Sequence, residues 1–151
     1  MEFYLSTNPG EPLKPLEKIA SGGELSRIML ALKTIFLSRT DTSIIFDEVD
    51  TGVSGRVAQA MAEKIQQLSG SQQVFCITHL PQVAAMADVH LYIAKETSPD
   101  TNRTKTTVTS LSTNEKVNEI GRMISGVEVT ELTKKHAEEL IDLAAKTKSI
   151  S

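Results

Sequence analysis

The 151 residues carry sixteen Lys and Arg against nineteen Asp and Glu, a net charge of −3, with 40% hydrophobic and 23% charged residues. That balance is ordinary for a globular chain with a real hydrophobic core, and it argues against a broad electrostatic footprint for nucleic acid. With 4% aromatic residues and no Trp there is little from which to build stacking platforms for single strands, and one cysteine excludes a disulfide framework or a Cys-rich zinc site.

No stretch approaches the length of a membrane span, and the first residues lack the charged-then-apolar pattern of a signal peptide. A soluble, cytoplasmic protein without a membrane partner is expected. Cys76, inside the run Val74-Phe75-Cys76-Ile77, is expected to be buried and inert.

Along the chain, the apolar piece at residues 3–5 leads into a stretch with three prolines by position 15, an extended or turning entry segment. A long helix is predicted after Gly23, with Leu25, Ile28, Met29, Leu32, Ile35 and Phe36 on its apolar face. Ser21 and Glu24 make a capping-box pattern at its start. Residues 43–46 read as a buried strand ending in acids. The next helix has Val57, Met61, Ile65 and Leu68 on one face, with Ser54 as its cap and Gly70 at its end. Residues 73–78 form a second buried strand, 81–86 a short helix opened by proline, and 89–94 a third strand. A strand at 105–111 pairs back across a tip at Asp100-Thr101-Asn102. Helices near 114–124 and 130–146 close the chain, the second with Leu132, His136, Leu140 and Leu143 on one face. The expected class is α/β, a largely parallel sheet flanked by helices with an antiparallel final pair, in one lobe spanning 1–151.

Three segments carry chemistry. In Ser21-Gly22-Gly23-Glu24, two glycines ahead of a long helix let a ligand approach the backbone, and the helix start offers free N–H groups and a positive dipole end. In Ile44-Ile45-Phe46-Asp47-Glu48, the acids stand at the end of a strand in an α/β sheet, the edge at which ligands bind. Asp47 there suits Mg²⁺ held through water, and Glu48 suits a general base that polarises an attacking water. Asp50, Thr51, Gly52, Ser54 and Gly55 follow as a tight loop into the next helix. His79 stands just past the strand at 73–78, on the same predicted sheet edge as the acids, where an imidazole can bond a phosphate or orient water. His90 and His136 have no assigned role. The G-x-x-x-x-G-K-[ST] loop that would cradle a nucleotide's phosphates is absent from the sequence.

Taken in order, these parts resemble the C-terminal half of an ABC-type ATPase head. On that resemblance Ser21, Gly22, Gly23 and Glu24 match the signature motif, Ile44 to Asp47 the Walker B strand and Glu48 the catalytic glutamate. Asp50, Thr51 and Gly52 lie in the match to the D-loop, and His79 matches the switch histidine. Glu24, where transporters usually have Gln, points to the SMC-like branch. The stretches 6–16, 20–27, 46–55, 78–83 and 120–126 resemble one bacterial DNA repair family within it. The resemblance implies ATP and Mg²⁺ as cofactors and a missing N-terminal ATPase lobe bearing the Walker A loop. It also implies a coiled coil, DNA as a partner, and a second copy of the head whose ATP is met in trans by Ser21, Gly22 and Gly23. Met1 is then an added or artificial start. A lobe parted from its counterpart is expected to expose the apolar surface that meets it, and to bind ATP weakly and leave it unhydrolysed. Two alternatives stay open, a head lobe of another SMC-like ATPase and a non-catalytic interaction module that keeps the fold.

Overall fold

In the computed structural model, which describes residues 4–6, 10, 12–16, 22–36, 42–97, 104–126 and 128–150, the proline-rich entry folds back on itself. Strands β1 (Tyr4–Leu5) and β2 (Lys14–Pro15) pair antiparallel, Tyr4 opposite Pro15 and Leu5 opposite Lys14. An extended or turning entry is what the prolines predict; the pairing itself is not legible, because two-residue strands carry no periodicity to read. Helix α1 (Gly22–Ile35) follows; Ser21, its expected cap, lies outside the described residues.

Strand β3 (Ser43–Phe46), helix α2 (Gly55–Ser69) and strand β4 (Gln73–Cys76) form a parallel crossover. The register runs from Ser43 opposite Gln73 to Phe46 opposite Cys76, and the Ile77 N–H extends it by donating to the Phe46 carbonyl at 2.9 Å. Buried residues on α2 recur at helical spacing, Ala58, Met61, Ala62, Ile65 and Leu68, and α2 packs against β4 and α1. Leu68 is fully buried, worth about 1.5–3 kcal/mol of apolar transfer. Val57 is exposed rather than on the packed face. Ser54 takes the N-cap position without a side-chain cap bond, and Gly70 ends the helix in a right-handed conformation.

The expectation of two buried strands is corrected here. Phe46 is 3% exposed and Cys76 half-buried, but on the other face Ile45, Phe75 and Ile77 stand open, Ile45 at 67%. Helix α1 also carries open apolar surface. Its predicted apolar face, with Leu25, Met29, Leu32, Ile35 and Phe36, is exposed, while Leu30 is the side chain it buries. Periodicity marks an apolar face and says nothing of what covers it.

Contacts divide the chain into two compact units, Met1–Thr78 and His79–Ser151, at a point where the sequence reading has no boundary. In the second unit, helix α3 (Pro81–Met86) starts on proline, as expected. Strands β5 (Leu91–Thr97) and β6 (Thr104–Ser110) pair antiparallel from Leu91 opposite Ser110 to Thr97 opposite Thr104. The predicted tip at residues 100–102 lies outside the described residues. Helices α4 (Thr113–Ser125) and α5 (Glu131–Ile150) pack on each other and on α3.

The core of this unit is Ala84, Ala85, Ile120 and Ala137, with Val117, Ile124, Leu140 and Ile141 against it. α5 therefore buries Ala137 and Ala144 and packs Leu140 on this core, whereas Leu132 and Leu143 of the predicted face are exposed, as is His136. Small residues let the helices come close. A Cβ on Gly121 of α4 would stand 3.2 Å from Val129 Cγ1 and 3.6 Å from the Thr133 carbonyl oxygen. Two polar devices hold the ends. Ser112 and Glu115 close a capping box at the start of α4, the Ser112 N–H donating to Glu115 Oε2 at 2.8 Å and its hydroxyl at 2.6 Å. These bonds hold the Glu115 carboxyl below its ordinary range. Lys116 Nζ donates to the carbonyls of Ala85 at 3.1 Å and Ala87 at 2.6 Å, at the C-terminal end of α3.

The class is α/β as expected, with the parallel ladder confined to the β3–β4 pair among the described residues. None of the described helices is long and apolar enough to cross a membrane.

Candidate functional site

The residues that matter lie where β3 runs out. Phe46 is the last buried residue of the strand; Asp47 and Glu48 follow it into the open, and then Val49 and Asp50 turn back inside, at 0% and 2% exposure. Such a reversal in four residues needs an unusual backbone. Glu48 supplies it, with φ of 58°, the one non-glycine residue in the left-handed region among the described residues. That conformation costs a residue with a Cβ roughly 1–2 kcal/mol, so the surroundings must hold it. The turn is closed by the Thr51 N–H donating to the Glu48 carbonyl at 3.1 Å and the Val53 N–H donating to the Asp50 carbonyl at 3.1 Å.

The start of α1 lies directly against this turn. A Cβ placed on Gly22 would stand 2.8 Å from Glu48 Oε2; one on Gly23 would stand 2.9 Å from the Glu48 carbonyl oxygen and 3.0 Å from Thr51 Cβ. Both positions are therefore glycine for closeness of approach. The Glu48 carboxylate sits beside the positive end of the helix, an arrangement worth about 0.3–1 kcal/mol. Side chains from the next helical turn complete the contact. The Ser26 hydroxyl donates to the Asp47 carbonyl at 2.9 Å, and Arg27 Nη1 donates to the carbonyls of Val49 at 3.2 Å and Thr51 at 2.8 Å. From the end of β4, the Thr78 hydroxyl donates to Asp50 Oδ2 at 2.6 Å.

The sequence reading treats residues 21–24 and the Asp47-Glu48 pair as two stations for different phosphates. The structure brings Gly22 and Gly23 into contact with Glu48 and Thr51 inside one unit. Gly22 is exposed, Gly23 buried and Glu24 half-buried. Within the loop, Thr51 and Gly52 are exposed, Gly52 with φ of 71°, whereas Asp50 is turned inward to Thr78. His79 is exposed and opens the second unit. Ser26 and Arg27 are parts of this geometry to which sequence reasoning gives no role. A signal existed for Arg27, because a cation early in a helix opposes the dipole and calls for acceptors elsewhere.

Electrostatically the strand end is negative. The thiol of Cys76 is pushed up to about 12 by burial first and by the carboxylates of Asp50 and Asp47 next, so it is protonated and unreactive at neutral pH. Among the described residues no three His, Cys, Asp or Glu side chains lie close enough to hold a metal by themselves. Asp47, exposed at the strand end, suits Mg²⁺ only as an ion shared with phosphate oxygens and water, which is how Mg²⁺ is ordinarily bound.

No protein-family model matches the chain. Its fold is similar to a solved structure described for ATP-driven dimerization and DNA-stimulated activation of SMC ATPases. That likeness has a TM-score of 0.50 at 20% identity and covers 82% of this chain and 80% of that one. The chain thus shares the α/β fold of that structure. Sequence relatives are more specific. The DNA repair protein RecN of Halalkalibacterium halodurans is 68% identical over 149 residues, covering 98% of this chain and 26% of that protein. RecN of Bacillus subtilis is 68% identical over 150 residues, and RecN of Treponema pallidum 46% identical over 147. Nearly the whole chain is thus similar to one stretch of RecN proteins, and it spans about a quarter of the length of the curated relatives it matches.

Proposed function

We propose that the chain is one lobe of the ATPase head of an ATP-driven DNA repair protein, which works on double-strand breaks in the bacterial cytoplasm at the nucleoid. Asp47 holds Mg²⁺ through water, Glu48 activates the attacking water, and His79 contacts the phosphate released. The signature residues Ser21, Gly22, Gly23 and Glu24 bind nucleotide held by a second copy of the head, with Thr51 and Gly52 of the D-loop at the same interface and Asp50 anchoring that loop. ATP binding closes the pair of heads, and hydrolysis opens it. Mg²⁺, when bound, offsets the charge of the phosphates and of Asp47; the chain's own part is to present the two acids, in fixed orientation, at one strand end.

The observation that carries this reading is the contact between the α1 start and the turn at Glu48, which joins a phosphate-competent helix end to the acids. The open side of the β3–β4 pair supports a counterpart lobe, since parallel strands ordinarily have both faces covered. The exposed apolar face of α1 supports it too.

The 151-residue chain on its own is expected neither to bind Mg-ATP tightly nor to hydrolyse it, because the phosphate-cradling loop belongs to the other lobe. Titration calorimetry with Mg-ATP checks this. Heats that fit micromolar binding would show that the lobe division is wrong.

A further inference from the structure

We propose that Arg27 is a positioning residue for hydrolysis, fastening the main chain of residues 49 and 51 to α1 and so holding Glu48 in its left-handed conformation. The inference rests on the hydrolytic reading of Glu48 given above. The turn is held at four points. Ser26 holds the carbonyl of Asp47, Arg27 those of Val49 and Thr51, and Thr78 the carboxylate of Asp50. Glu48 lies between the first two, the one residue of the turn whose backbone works against its own preference.

Arg27 is the charged member of this set. It bonds carbonyls on both sides of Asp50, and charge-assisted bonds are the stronger kind. Gly23 is part of the same device. A Cβ there would come 3.3 Å from Arg27 Nη1, so the glycine leaves room for the guanidinium to reach the turn. The consequence is a rigid link between the helix that carries the signature residues and the acid that activates water. A shift of α1 on meeting phosphate is passed to Glu48 through these bonds.

The test is steady-state ATPase kinetics of the full-length protein with Arg27→Met, Arg27→Lys and, alongside, Glu48→Gln. Methionine keeps the apolar stem and removes the donors. A misplaced base should lower kcat roughly 10- to 100-fold, with KM for ATP within about twofold of wild type. A single nitrogen makes both carbonyl bonds, so lysine should recover much of the lost kcat. An Arg27→Met protein with wild-type kcat would overturn the proposal. So would one that loses kcat and ATP binding together without rescue by lysine, the mark of a merely structural role. Glu48→Gln separates the two failures. If it turns over normally, the hydrolytic reading falls and this inference with it; if it is silent while Arg27→Met is normal, only the role of Arg27 falls.

Discussion

Glu48→Gln in the full-length protein is expected to bind ATP as the wild type does and to hydrolyse it about 10²- to 10⁴-fold more slowly, the usual contribution of a positioned general base. The amide has the shape of the carboxylate, so the left-handed backbone at residue 48 and the close approach of Gly22 are kept. What it loses is the ability to take a proton from water. Rapid-mixing measurement of bound nucleotide against phosphate release separates binding from chemistry. Near-normal turnover would remove Glu48 from the catalytic role.

Gly23→Ala is expected to cost about 1–3 kcal/mol of stability, the usual range for over-packing, and to slow ATP turnover in the full-length protein as well. The added methyl would stand 2.9 Å from the Glu48 carbonyl oxygen and 3.0 Å from Thr51 Cβ. The first of these is main chain, which cannot swing aside, so the turn itself has to move. Gly22→Ala makes the contrast. Its methyl meets only the end of the Glu48 side chain, at 2.8 Å, and that carboxylate can rotate away. Gly22→Ala should therefore leave the thermal midpoint of the chain near wild type while disturbing turnover. Circular dichroism melting of both variants decides the matter; equal midpoints for Gly23→Ala and wild type would deny the contact between α1 and the turn.

The elements legible in the sequence are those whose signals are local. The run Ile44-Ile45-Phe46 before two acids marks β3, and proline at the first turn marks α3, both with the bounds expected. The apolar faces of α1 and α5 turn out differently. On α1 the stripe is real but exposed, since the pattern does not say what covers it. On α5 the leucines are the stronger hydrophobic signal, yet Ala137 and Ala144 are the buried residues. Leu140 alone of the predicted leucines packs on the core, while α4 comes close at Gly121. Closeness between helices is a matter of volume, which a pattern of apolar positions does not record.

The site divides in the same way. Asp47 and Glu48 are found by their place at a strand end. The clamp by Ser26 and Arg27 spans 21 to 24 residues of sequence; the cation early in α1 hints that Arg27 seeks acceptors, but nothing local says where they lie. Asp50 reads as part of the tight loop into α2; its burial and its bond from the Thr78 hydroxyl are not legible there. The left-handed backbone of Glu48 is likewise invisible, because that conformation is read from glycine and not from glutamate.

The most direct measurement of the account is sedimentation of the full-length Glu48→Gln protein with and without Mg-ATP, run beside the same protein carrying Ser21→Arg. The head-lobe reading predicts that ATP shifts the first protein to a dimer. It also predicts that the second stays monomeric while still binding ATP, because Ser21 serves the nucleotide of the opposite head. An unchanged monomer in both, or loss of ATP binding by the Ser21→Arg monomer, would contradict it.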